Sequence, residues 1–382
     1  MKKFVSLASS ALLVASFATP VLAEEDFSTV MITDIGGVDD GSFNQSAWEG
    51  MVEFGEANGL ERGVNGYEYL QSNSDSDFVT HLNTAVQSNF DLIFGIGFKL
   101  ETAMKEMAEQ QPEKHFAIVD SVIDLPNVAS LTFKDHEASF LAGVAAAMTT
   151  KTNKVGFVGG QEGFVIDRFE AGFVAGVEAV NPDVEVVIEY AGSFGDAAKG
   201  KQIAAAMYAN DVDIIFHASG DTGNGVFSEA KDIVTADPSR EIYVIGVDRD
   251  QEAEGIVEID GEERRLTLTS TLKQVGAAVK SFAEQTKAGN FEAGNKVYGL
   301  EDGGVGLTDG QLSEEVLAAV KEYSDKIIAG DIKVPEAPGQ DVEAADDTEA
   351  EDSEEATEEE ATEEETATED TEETTVEETT AE

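Results

Sequence analysis

Cysteine is absent from all 382 residues. That excludes disulfides, thiolate metal sites and a cysteine nucleophile. It also excludes the lipidated cysteine that an anchored bacterial secreted protein carries at its cleavage point. Histidine is scarce, and His81, His115, His136 and His217 stand far apart, without the spacing of a metal site. Positive charge is scarce too. Lys and Arg total 24 against 78 Asp and Glu, a formal net charge of −54. Such a chain repels nucleic acid, and free phosphorylated ligands are disfavoured on the same ground. Salt screens this self-repulsion, so the composition suits high-salt surroundings. There is no G-x-S-x-G elbow and no P-loop. No segment beyond the start of the chain is apolar enough to span a membrane. Lys2 and Lys3 precede an apolar run from Phe4 to about Phe17, and Val21-Leu22-Ala23 supplies small-residue spacing. This pattern predicts a signal peptide over residues 1–23, cleaved near Ala23, and a free protein in the periplasm or outside the cell.

What is present is strand–helix alternation. Near-continuous apolar strands are expected at 29–32, 66–70, 91–97, 115–120 and 128–133, with helices between them. The pattern restarts with a helix at 139–148 and strands at 154–160, 184–190, 213–217 and 241–248. A short strand at 266–270 leads into a helix from about Leu272 to Ala288, then a brief strand at 297–300 and a last helix at 313–328. Two similar α/β units with parallel sheets follow from this order. From Glu336 onward there are 23 acids and no Lys or Arg, so that stretch cannot bury a core and is expected to be a disordered acidic tail.

The stretch DIGGVDDGSFNQSAWE, from Asp34 to Glu49, links the first strand to the first helix. Ser42 is the expected N-cap of that helix. Ligands of α/β folds bind outside the carboxyl ends of the strands. Residues so placed are Asp34, Phe43, Asn44 and Asp120 in the first unit and Phe194, Gly220 and Asp248 in the second, with Lys273 opening a later helix. Two aromatics could stack on a flat ring, carboxylates suit vicinal hydroxyls, and Asn offers donor and acceptor to a base edge. Singly, Phe43 reads equally as a staple over the core, and each acid as a cap or turn residue. The convergence of several raises the ligand-site reading. Asp34, Asp39 and Asp40 invite a second reading, a Ca²⁺ cluster in a nucleoside hydrolase, although Phe43 and glycines crowd it. His217, at a strand end, is read as structural.

The stretches DIGGVDDGSFNQSAWEGM, HASGDTGNGV, IGVDRDQ and TSTLKQV closely resemble the basic membrane protein family of bacterial substrate-binding proteins, with similarity from Phe27 to about Ile332. The resemblance implies an α/β, type I periplasmic-binding-protein fold with two doubly wound parallel-sheet lobes joined by three crossovers. Lobe 1 would comprise 24–132 and 271–297, lobe 2 133–270 and 298–335, and the tail 336–382. It implies a monomer that binds a nucleoside between the lobes and delivers it to the permease of an ABC importer, without catalysis, cofactor, metal or direct membrane insertion. Matched motif to motif, Phe43 and Phe194 would stack the base, while Asp34, Asn44, Asp120, Gly220, Asp248 and Lys273 would hydrogen-bond base and ribose. A sensory coreceptor would share this fold and site. The missing anchor cysteine and the acidic tail depart from the family pattern.

Overall fold

The computed structural model describes residues 27–340 and 342–344. The expected signal peptide and nearly all of the acidic tail lie outside the described residues. The first sheet is built from β1 (Thr29–Ile35), β2 (Tyr67–Ser72), β3 (Leu92–Ile96), β4 (His115–Val119) and β5 (Val128–Phe133). Helices α1 (Phe43–Ala57), α2 (Asp77–Gln87) and α3 (Glu101–Gln110) alternate with these strands. The chain then builds a second sheet through α4 (Asp135–Thr149), β6 (Lys154–Gly159), α5 (Phe164–Val180), β7 (Glu185–Tyr190), α6 (Ala197–Ala209), β8 (Ile214–Ala218), α7 (Thr222–Ala236) and β9 (Tyr243–Gly246). A hairpin of β10 (Ile256–Ile259) and β11 (Glu262–Arg265) precedes β12 (Thr267–Lys273), which adds to the second sheet. Helix α8 (Val275–Lys287) leads to β13 (Gly294–Tyr298), which returns to the first sheet beside β5. Strand β14 (Val305–Leu307) closes the second sheet antiparallel to β12, and α9 (Glu314–Ala329) follows.

The two six-stranded orders are β13-β5-β4-β3-β1-β2 and β14-β12-β9-β8-β6-β7. All pairings within them are parallel except β12 with β14. The central strands are buried on both faces, so each is a continuous apolar run: β3 is LIFGI, β8 IIFHA, and every residue of both is buried. Each half has two core clusters, around Phe94 and around Phe116 in the first and around Phe216 and around Phe227 in the second. Strand order makes the halves topological equivalents, with β4 corresponding to β9 and β3 to β8.

The chain passes between the halves three times, after β5, after β12 and after β13. The passages are tied to one another. The Lys134 amide donates to the Tyr298 carbonyl at 2.8 Å, and the Gln274 amide to the Gly304 carbonyl at 2.9 Å. Helix α8 packs on α1 through a glycine pair, where a Cβ on Gly50 would meet the Gly276 carbonyl oxygen at 2.0 Å.

Several elements differ from the sequence expectation. Helix α4 starts at Asp135, four residues early, because 13 of its 15 residues are buried and its polar first turn carries no amphipathic signal. Helix α7 and the β10–β11 hairpin were not foreseen. Residues 271–273 pair with β14 in the second sheet. The start of the tail is also held against the fold: Glu336 pairs with Arg168 at 2.9 Å, and β15 (Ile332–Lys333) pairs with β16 (Glu343–Ala344).

Candidate functional site

Where β1 ends, Asp34 is buried, and its Oδ1 accepts a hydrogen bond from Asn44 Nδ2 at 2.7 Å. The turn that follows is organised by Asp40 rather than by Ser42. The Asp40 carboxylate accepts the amides of Ser42 at 2.8 Å, Asn44 at 2.9 Å and Gln45 at 3.1 Å. Ser42 occupies the N-cap position of α1, but its side chain makes no cap bond and instead donates to Asp248. A carboxylate at a helix N-terminus meets both unpaired amides and the positive end of the dipole, which a hydroxyl does less well. Phe43 and Asn44 are thereby set as the first two residues of α1. Of the acids read as a Ca²⁺ cluster, Asp40 is committed to these amides and Asp39 is exposed. No group of three or more His, Cys, Asp or Glu suited to a metal exists among the described residues.

Asp120 and Asp248 follow the equivalent strands β4 and β9. Both have left-handed backbones, with φ of 64° and 67°. Few residue types other than Asn, Asp and Gly tolerate that region, and such strain gathers at functional sites. Gly220, after β8, is also left-handed, and a Cβ there would meet the Phe194 carbonyl oxygen at 3.2 Å. Lys273 ends β12, and its Nζ lies 2.6 Å from Asp120 Oδ2 and 3.1 Å from Asp135 Oδ1. The same ammonium stands 5.3, 5.2 and 5.7 Å from the ring centres of Phe43, Phe133 and Phe169.

These segments converge on a cavity between the halves, and all eight sequence candidates line it. Asp40, Phe98 and Phe169 line it as well. In the sequence, Asp40 reads as a turn acid and as one of the Asp34, Asp39 and Asp40 Ca²⁺ trio, and nothing singles out the two rings. The sequence reading also missed Asp135, which is 1% exposed behind Lys273. The strand-end rule that selected Asp120 could have found Asp135, two residues past β5, had α4 not been started too late. His217 is fully buried, donates toward Gln251 Oε1 at 3.0 Å and does not line the cavity.

The electrostatics are unusual. Burial pushes Asp34 up to about 7, opposed by the Asn44 hydrogen bond. Burial likewise raises Asp135 to about 7 and Asp248 to about 6, with Lys273 opposing both shifts. Burial also lifts Asp40, against three backbone hydrogen bonds. For Lys273, burial pushes downward, but Asp120, Asp135 and Asp248 together hold the ammonium above the ordinary lysine value. Two buried acceptors, Asn44 Oδ1 and Asp120 Oδ1, have no hydrogen-bond partner among the described residues. The cavity thus combines aromatic rings, unsatisfied acceptors and one cation outnumbered by acids. It is built to receive a ligand rich in O–H and N–H groups.

Residues 27–338 match the Bmp family model, described as ABC transporter substrate-binding protein PnrA-like. Among curated proteins, the chain is 57% identical over 321 residues to the CD4+ T-cell-stimulating antigen of Listeria innocua, covering 83% of this chain and 90% of that one. It is 49% identical over 314 residues to the ABC transporter nucleoside-binding protein BmpA of Lactococcus lactis, covering 81% and 89%. Among solved structures, an ABC transporter solute-binding protein from Aeropyrum pernix superimposes with a TM-score of 0.72 at 28% identity, over 82% of this chain and 94% of that one. Its type I periplasmic-binding architecture is the one expected here. The family model and the Aeropyrum pernix structure are both described as substrate- or solute-binding components of ABC transporter systems. The chain belongs to the Bmp family of PnrA-like ABC transporter substrate-binding proteins.

Proposed function

We propose that this substrate-binding protein captures a purine nucleoside in the cavity between its halves and hands it to the permease of an ABC importer. The observation that carries the reading is the pairing of unsatisfied acceptors with aromatic walls. Asp120 spends Oδ2 on Lys273 and keeps Oδ1 free, and Asn44 spends Nδ2 on Asp34 and Asp40 and keeps Oδ1 free. A ribose hydroxyl and a base N–H supply the donors these atoms need, and an unmet buried acceptor is costly. Phe43 and Phe194 are the stacking surfaces in this reading. Asp34 and Asn44 take the base edge, Asp120, Asp248 and Lys273 take the sugar, and the Gly220 backbone closes the wall.

The charge balance favours a neutral ligand. Lys273 is outnumbered by Asp34, Asp40, Asp120 and Asp248 on the cavity wall. A phosphate there would face these acids at short range, which disfavours nucleotides. The name of the Lactococcus lactis relative, a nucleoside-binding protein, agrees with this reading. No helix among the described residues is long and apolar enough to cross a membrane. In our reading the mature chain works as a free monomer outside the cytoplasm after cleavage near Ala23.

Calorimetry and thermal shift against adenosine, guanosine, inosine, adenine and AMP test the proposal. A nucleoside should raise the melting temperature, as any ligand specific for the folded state does. AMP stabilising more than adenosine would overturn it. Inosine should be recovered intact after incubation, and release of free base would favour the hydrolase.

A further inference from the structure

The turn at residues 40–42 belongs to the first half, yet two of its carbonyls and the Ser42 hydroxyl bond to the second. Asn224 Nδ2, on α7, donates to the Asp40 carbonyl at 3.0 Å. Gln251 Nε2 donates to the Gly41 carbonyl at 3.1 Å. The Ser42 hydroxyl donates to Asp248. On the surface nearby, Glu49 of α1 meets Arg249 at 3.2 Å. These bonds join the halves directly, through protein atoms alone.

Both donors are held in advance. Asn224 Nδ2 also donates to Asp221 Oδ1 at 2.9 Å, which fixes its amide plane. Gln251 is fully buried, and its Oε1 accepts from the Val247 amide at 2.8 Å and from His217 Nε2 at 3.0 Å. With Oε1 occupied twice, Nε2 is forced toward Gly41. Burial pushes His217 down to about 4, so the ring stays neutral and its one Nε2 proton goes to Gln251. The turn they grip leads straight into Phe43 and Asn44, two cavity residues.

We propose that Asn224 and Gln251 are positioning residues of a latch that grips the 40–42 turn when the halves close, and that this latch sets how long a bound solute is retained. Neither residue lines the cavity. They act on the closed-state population, and through it on release, while capture by the open form is untouched.

Asn224 is the cleaner probe, because it is half-exposed while Gln251 is interior. Asn224→Ala removes the donor. Asn224→Asp keeps the shape and sets a carboxylate against the Asp40 carbonyl. Because the chain has no cysteine, Val79→Cys in α2 and Ile328→Cys in α9, both at exposed positions, give unique sites for a spin-label pair spanning the halves. Both Asn224 variants should shift the label distances of the nucleoside-free protein toward longer values. Both should speed dissociation of radiolabelled adenosine about three- to tenfold, from the worth of one hydrogen bond. The association rate should stay within about twofold and the ligand-free melting temperature within about two degrees. The dissociation arm rests on the nucleoside reading, and the distance arm does not. Longer distances in both variants sustain the latch even if adenosine fails to bind the parent protein. Distances unchanged from the parent refute it, whatever adenosine does.

Discussion

Replacing Lys273 by Met leaves a hydrophobic chain of similar length where an ammonium stood between two carboxylates. Lys273, Asp120 and Asp135 are 3%, 5% and 1% exposed, so solvent can do little to replace the lost charge. Removing one partner of such a buried group costs about 3–5 kcal/mol, because the carboxylates stay buried without compensation. That is about a fifth or more of the stability of an ordinary domain. The loss should depend on pH, with a definite sign. Asp135 already sits at about 7 through burial, with Lys273 pulling it down. In the variant that pull is gone, so the value climbs further. A carboxyl raised in the folded state binds a proton that the unfolded chain releases. Stability therefore falls as pH rises through the window from about 4 to above 7 and returns as pH falls. At pH 5.5 Asp135 should be neutral, and the penalty should shrink by about 1–2 kcal/mol relative to pH 8, one pKa unit being worth about 1.4 kcal/mol. Urea denaturation followed by circular dichroism, with parent and variant compared at each pH, reads this directly. Comparison at equal pH cancels the general effect of titrating so acidic a chain. Adding Asp135→Asn to Lys273→Met should restore at least half of the pH 8 loss. A loss below 1 kcal/mol at pH 8, or equal losses at the two pH values, would refute the reasoning.

Other perturbations reach different parts of the molecule. Phe43→Ala should weaken adenosine binding by about 1–3 kcal/mol in calorimetry through lost stacking and burial, and a variant that melts early but binds normally would return Phe43 to a core role. Asp248→Ala should weaken ribonucleosides by about 1.5–3 kcal/mol and free adenine by less, since a hydroxyl loses a charged acceptor; equal losses would place Asp248 away from the sugar. Gly50→Ala should destabilise the fold by more than about 2 kcal/mol in urea, because its Cβ would fall 2.0 Å from a backbone oxygen of α8, and an unchanged midpoint would contradict that geometry.

Much of this architecture was legible because buried parallel strands are written as unbroken apolar runs. The segments around Ile93, Ile118, Ile215 and Val244 lie inside central strands of the two sheets. Acids at the ends of such runs pointed to the cavity, and Asp34, Asp120 and Asp248 all line it. What stayed hidden was whatever lacked a period or needed the third dimension. Helix α4 is buried all round, so its first turn read as loop and Asp135 went unnoticed. Phe98 opens a short 3-10 turn after β3 and Phe169 sits inside α5, and only folding brings them to one cavity. Ser42 has the right identity for an N-cap, but Asp40 two residues earlier competes better for the amides, freeing the hydroxyl to reach the other half. The Asn224 and Gln251 contacts join residues 184 and 210 positions away from their partners, and no local pattern records them.

The three passages between the halves are strapped side by side, and the buried ion group is threaded through them. Asp135 follows the first passage, Lys273 ends the strand before the second, and the Lys134 amide is tied to Tyr298 at the third. A hinge through these passages would turn beside the Lys273, Asp120 and Asp135 group. Lys273 also lines the cavity, so it is at once a wall of the site and a pin of the joint. On the proposed reading, a substitution there that retunes which solute is accepted should also retune how the two halves swing. Selectivity and mechanics are inherited together at that residue, and a designer wanting a new solute without a new motion must work from the Phe43 and Phe194 side.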